Sequence, residues 1–161
     1  MAKKYTREEI EGSRNWMRKN CFPNVQVDLA EAGLRFDYFV MPQNLCPQLP
    51  DFVYRCTGSP EDGYVFGISE TVPEIFRPFA VAHEFMEFGQ IGLDVNGRCL
   101  QALEKEIELV PGDIRPEYIK MRRRFFDNLV KWTRAQPDYD QLDIVEFEGS
   151  LARLNELVRG E

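Results

Sequence analysis

The sequence predicts an α+β domain with an N-terminal helix, a small, mostly antiparallel sheet of about four strands, and a helical C-terminal half. Three observations carry this. Period-two alternation of apolar and polar residues is concentrated between residues 25 and 69. Helical periodicity fills the first 20 residues and dominates after Pro73. No internal repeat, low-complexity tract or linker divides the chain, so residues 1–161 are expected to form one domain. Strands and helices segregated along the chain are the pattern of α+β architectures.

The elements follow in order. Thr6 and Glu9 form a Thr-x-x-Glu capping box, which starts a helix whose apolar residues are Ile10, Trp16 and Met17 and which ends near Asn20. Val25–Leu29 and Leu34–Val40 alternate on either side of the turn Glu31-Ala32-Gly33 and read as a hairpin. A loop with Pro42, Pro47 and Pro50 leads to two more strands, Phe52–Thr57 and Tyr64–Ser69, around the turn-rich segment Gly58–Gly63. Helices are then expected over about residues 74–90, over 98–110 before Pro111-Gly112, and over 116–135 with Pro116 in the first turn. Beyond Pro137 the pattern suggests a short strand at 142–147 and a last helix capped by Ser150. Trp16 and Trp132, at helical spacing from other apolar residues, read as core.

With 161 residues, 43% of them apolar and 29% charged, the chain can bury one substantial core. A net charge of -7 argues against general nucleic-acid or anionic-membrane binding, and the one basic cluster, Arg122-Arg123-Arg124, is too short to reverse this. There is no apolar run of membrane-spanning length, and the N-terminal run Met1–Glu9 lacks the apolar centre of a secretory signal. A cytoplasmic location is the expectation. Cys21, Cys46, Cys56 and Cys99 form no Cys-x-x-Cys pair and read as free, semi-buried thiols.

The chemistry-bearing segment is Phe79-Ala80-Val81-Ala82-His83-Glu84-Phe85-Met86-Glu87-Phe88, which holds the only histidine. On a helical wheel His83 and Glu87 share a stripe with Phe76, Phe79 and Met86, while Val81, Phe85 and Phe88 occupy the opposite side. A helix apolar nearly all round is a buried one. Carboxylates buried on it need a metal, an arginine, a hydrogen-bond network or a water-filled cleft to face them. Arg77 and the 122–124 cluster are the arginines at hand.

His83-Glu84-x-x-Glu87 differs by one residue from the His-Glu-x-x-His signature. With Arg77-Pro78-Phe79 before it, the candidate edge strand Tyr64–Ser69, and a following helix that ends Glu108-Leu109-Val110-Pro111, the segment 64–111 resembles the zincin-like metallopeptidases, in particular the small bacterial ones. The resemblance implies a zincin-like fold, with His83 and Glu87, one helical turn apart, as metal ligands and Glu84 as general base. It implies a third ligand on the next helix, where Glu104, beside the stripe Leu100, Leu103 and Ile107, fits better than Glu106 or Glu108. Glu87 stands where the family has its second histidine. A set with one nitrogen and two oxygens leans from zinc toward manganese or iron.

Three readings therefore stand open. The first is a metal-dependent hydrolase with His83, Glu87 and Glu104 as ligands. The second is a zincin-like relative without catalysis or metal, kept as a binding or regulatory module for a protein or peptide partner. The third is an unrelated α+β interaction protein with an ion-pair core. Other chemistries lack their motifs: no Gly-x-Ser-x-Gly elbow, phosphate loop or dinucleotide fingerprint is present, and the acidic run at 138–143 lacks calcium-loop spacing.

Overall fold

A computed structural model describes residues 4–160, and Met1–Lys3 and Glu161 lie outside them; the N-terminal run read for a targeting signal is thus described only from Lys4. The element order is α1 (Arg7–Asn20), β1 (Val25–Leu29), β2 (Leu34–Met41), β3 (Val53–Ser59), β4 (Gly63–Ser69), α2 (Arg77–Phe85), α3 (Arg98–Leu109), α4 (Arg115–Arg134) and α5 (Gln141–Arg159). This is the predicted α+β order. Among the described residues no helix is long and apolar enough to cross a membrane.

α1 begins with the reciprocal capping box, Thr6 accepting from the Glu9 amide at 3.1 Å and Glu9 from the Thr6 amide at 2.9 Å. It buries Ile10 and Met17, but Trp16, expected in the core, is 46% exposed. The reason is angular: residues 10 and 17 are seven apart and share a face, and Trp16 falls one position off it.

The sheet order is β1-β2-β4-β3. β1 and β2 form the expected hairpin, Val27 opposite Phe36, turned by Gly33 at φ 69°. β3 and β4 are antiparallel, and β2 and β4 run parallel, Val40 beside Ile68. The sheet is therefore mixed, and β4 is an inner strand where an edge strand was expected. The long 42–52 connection carries β3 to the outside, and β4 fills the space between. Residues 65–69 of β4 are all buried, as suits a strand covered on both faces. Gly67 permits this cover, because a Cβ there would stand 2.2 Å from Met41 Sδ and 2.9 Å from Met17 Cε.

One face of the sheet, with Phe36, Tyr38, Val40, Phe66 and Ile68, packs on Val81 and Met86 of the α2 segment and on Tyr118. Phe39, Met41 and Val65 turn the other way and join Ile10, Met17, Leu103, Phe125, Phe126 and Leu154. The 42–52 loop is pinned by Gln43, whose amide donates to the Cys46 and Leu49 carbonyls at 2.8 and 3.1 Å and whose oxygen accepts from Ser69 and Thr71.

Two helical expectations need correction. The helix expected over 74–90 is a 3₁₀ turn at Glu74–Phe76, then α2, then a π-helical turn at Met86–Ile91 in which the Gly92 amide bonds to the Glu87 carbonyl at 3.0 Å. The strand expected at 142–147 belongs to α5, which runs unbroken through Ser150, so Ser150 is a buried mid-helix residue and not a cap. The cap is Asp140, which accepts from the Leu142 amide at 2.8 Å. The apolar residues Leu142, Ile144, Val145 and Phe147, close together after a proline, read as a strand and hid a helical stripe of Asp143, Glu146, Phe147 and Ser150, spaced i, i+3, i+4, i+7. Replacing Asp140 with alanine should lower stability to urea by about 1 kcal/mol; an unchanged midpoint contradicts the cap.

Candidate functional site

The site is assembled where α2, α3, α4 and α5 meet beside the edge strand β3. His83 lies in the last turn of α2 and is 2% exposed. Its Nδ1 is 2.7 Å from Glu106 Oε1 and its Nε2 is 2.9 Å from Glu87 Oε2. The Cys99 sulfur lies 3.7 Å from the same Nε2 and accepts from the Ser150 hydroxyl at 3.0 Å. Behind the histidine, Glu106 is fully buried and receives Arg122 Nε at 2.7 Å, Arg122 Nη2 at 3.2 Å and the Tyr118 hydroxyl. In front, Arg55 of β3 reaches Glu84 at 3.3 Å and Glu87 at 3.5 Å through one nitrogen, Nη1. Arg98 Nε stands 3.3 Å from Glu87 Oε1, and its Nη2 donates to Asp143 at 3.4 Å.

His83, Glu84 and Glu87, singled out in the sequence, are thus brought together. Glu104 is not among them: it pairs with Arg153 at 2.6 Å and its side chain is 44% exposed. The buried stripe of α3 is Cys99, Ala102, Leu103, Glu106 and Ile107, one step round from the stripe read through Leu100. Had Cys99 and Ala102 been counted as core positions, Glu106 would have fallen on the inward face at i+7 and i+4. Of the arginines expected to face Glu84 and Glu87, neither pairs with them: Arg122 bonds Glu106 on α3, and Arg77 bonds the Val72 and Glu70 carbonyls, so Arg55 and Arg98 take that place. Arg55, Arg98 and Cys99 carried no local signal, since their role depends on how distant elements pack.

Burial alone pulls the His83 imidazolium down, but the bonds to Cys99, Glu106 and Glu87 outweigh it and hold His83 well above its ordinary range. Burial pushes Glu106 up, and Arg122, His83 and Tyr118 more than reverse this. Glu87 is likewise lowered against its burial, by His83, Arg55 and Arg98. Glu84 differs: burial raises it, and Arg55 only partly offsets the rise. Two carboxylates three residues apart are therefore pushed in opposite directions, the arrangement that separates a proton-handling group from a permanently charged one.

Ligand atoms of His83, Glu87 and Cys99 all lie within 4.8 Å of one another, so this buried group can hold a metal ion. The distances fit. A tetrahedral zinc with nitrogen and sulfur bonds near 2.05 and 2.3 Å sets those donors about 3.6 Å apart, against 3.7 Å between Nε2 and Sγ. The nitrogen–oxygen edge is about 3.4 Å, so Glu87, at 2.9 Å, has to retreat by about half an ångström. Glu106 on Nδ1 fixes the ring so that Nε2, once it gives up the proton it shares with Glu87, is the nitrogen that would coordinate.

This group lines a cavity of about 730 Å³, together with Trp16, Leu49, Phe52, Phe125, Leu129 and Trp132. No protein-family model, curated protein or solved structure matches the chain. The likeness to zincin-like peptidases therefore rests on the 64–111 segment alone.

Two outcomes test the ionic network. Arg122→Met alone should cost about 3–5 kcal/mol by stranding Glu106, and Arg122→Met with Glu106→Gln, which removes the charge but keeps an acceptor for His83 and Tyr118, should recover part of it; a double variant no more stable than the single contradicts the pairing. In metal-free protein the stability that His83 adds over His83→Gln should be complete below about pH 6.5 and be lost as pH rises through the raised folded value. A difference that stays flat across that range in thermal melts contradicts a charged His83.

Proposed function

We propose that this chain binds a divalent metal through His83, Glu87 and Cys99 and acts as a metal-dependent hydrolase on a zincin-like scaffold. The carrying observation is the convergence of those three donors in the lining of a cavity, with the histidine oriented from behind by Glu106. Cys99 supplies what the missing second histidine takes away. A nitrogen, an oxygen and a sulfur donor restore a preference for zinc over manganese or iron, and three protein donors leave a fourth position for water or substrate.

Once bound, the ion would polarise a substrate carbonyl and acidify a water. Glu84 serves as general base. It takes the proton of the attacking water as the new carbon–oxygen bond forms, and returns it to the leaving group as the bond from the carbonyl carbon to that group breaks. Its raised proton affinity suits both halves of the task. Arg55, bonded to Glu84, holds the carboxylate in place. A cytoplasmic location belongs to the same proposal and suits four free cysteines.

One observation favours a second reading, a catalytically inactive binding or regulatory module. Arg55 and Arg98 already face Glu84 and Glu87, and both His83 nitrogens have carboxylate partners, so the charges balance without an ion.

The two part on metal content. Protein purified without a histidine tag should carry about one zinc per chain, and His83→Gln or Cys99→Ser should each weaken zinc binding at least about tenfold. Glu84→Gln should keep the zinc and lose about 100-fold or more of p-nitrophenyl acetate hydrolysis. Protein free of metal, with melting unmoved by zinc or chelator, supports the inactive module instead.

A further inference from the structure

The cavity is far larger and more apolar than a three-donor metal site requires. The polar groups form one connected cluster, Arg55–Glu84–Glu87–His83–Cys99 with Arg98. From that cluster a wall runs along α4: Arg122, Phe125, Leu129 and Trp132 are spaced i, i+3, i+7, i+10 and all line the cavity. At 1.5 Å per residue, Arg122 to Trp132 is about 15 Å, and every step past Arg122 is apolar. Facing it, Leu49 and Phe52 of the 42–52 loop are buried against the same space.

Two features ask for an occupant. Trp16, Leu45 and Tyr54 line this cavity yet are 46%, 42% and 47% exposed, an apolar patch that a bound chain would cover. In the polar cluster Arg98 Nε is fully buried and, among the described residues, has no hydrogen-bond acceptor: it lies 3.3 Å from Glu87 Oε1 but off line. An arginine whose donors are not all met favours an oxygen over an apolar group beside its guanidinium.

From these we infer that the cavity binds a small acyl compound, a carboxylic acid or its derivative with an extended apolar chain. The chain lies along Phe125, Leu129 and Trp132. The head oxygen meets the guanidinium groups of Arg55 and Arg98, both of which line the cavity, next to His83. A volume near 730 Å³ is within the usual range of small-molecule sites. An extended apolar wall in the same cavity as two guanidinium groups selects an amphipathic molecule over a uniformly polar one. This names the substrate class of the hydrolase proposed above, while chain binding itself needs only the cavity and the arginines.

The test is a chain-length series of free carboxylates, acetate through decanoate, titrated into metal-free and zinc-loaded protein by calorimetry and by tryptophan emission. Decanoate should bind at least about tenfold more tightly than hexanoate on both forms, and Leu129→Glu should remove that preference. Arg98→Gln should weaken every member of the series by a similar factor. Equal affinity along the series on the wild-type protein, or binding only to vesicles of long-chain lipid, overturns the inference. Chain-length preference in protein that takes up no zinc leaves it standing and rejects the metal reading. Zinc uptake with no preference does the reverse.

Discussion

Glu106 is the group on which the rest of the site depends. It is a fully buried carboxylate that receives two nitrogens of Arg122, the Tyr118 hydroxyl and His83 Nδ1. Burying that charge without partners would cost several kcal/mol. With four donors the cost is offset, and α2, α3 and α4 are bound into one geometry. Because Glu106 takes Nδ1, the ring can present only Nε2 to Glu87, Cys99 and the cavity.

The same constraint explains what surrounds it. α2 opens into a π-helical turn immediately after His83, and Glu87 lies inside that turn with its carboxylate against Nε2. α5 brings Ser150 to the Cys99 sulfur and Glu146 to the Gly97 and Cys99 amides at 2.8 and 3.1 Å, which fixes the start of α3 and thereby the sulfur. Arg55 arrives from the sheet edge and couples β3 to the end of α2. Each polar residue is thus held by at least one element other than its own, as a preorganised site requires.

Much of this was legible in the sequence. The α+β order, the hairpin at 25–40, α3 and α4 followed from periodicity and capping, and the apolar setting of His83, Glu84 and Glu87 required partners before any were known. The partners were less legible. Glu106 was passed over for Glu104 because the wrong apolar stripe of α3 was followed; small residues such as Ala102 and Cys99 mark a close-packed face as surely as leucines do. The inner position of β4 depends on how the 42–52 loop crosses the sheet, a long-range fact with no local pattern. At 142–147 a strand-like apolar cluster and helical spacing coincide over six residues, and the helix prevails because Asp140 caps it and Ile144 and Ser150 pack inward.

Whether the ionic cluster is an end in itself or the frame of a metal centre turns on Cys99. In an ion-pair core Cys99 is a small buried residue that supports the His83 charge; in a zinc site its sulfur is bonded to the metal. X-ray absorption at the zinc edge on zinc-loaded protein tests this most directly. The account predicts one sulfur neighbour near 2.3 Å and nitrogen or oxygen neighbours near 2.0–2.2 Å, with the sulfur lost in Cys99→Ser. A zinc shell of nitrogen and oxygen alone, unchanged by that substitution, would contradict it.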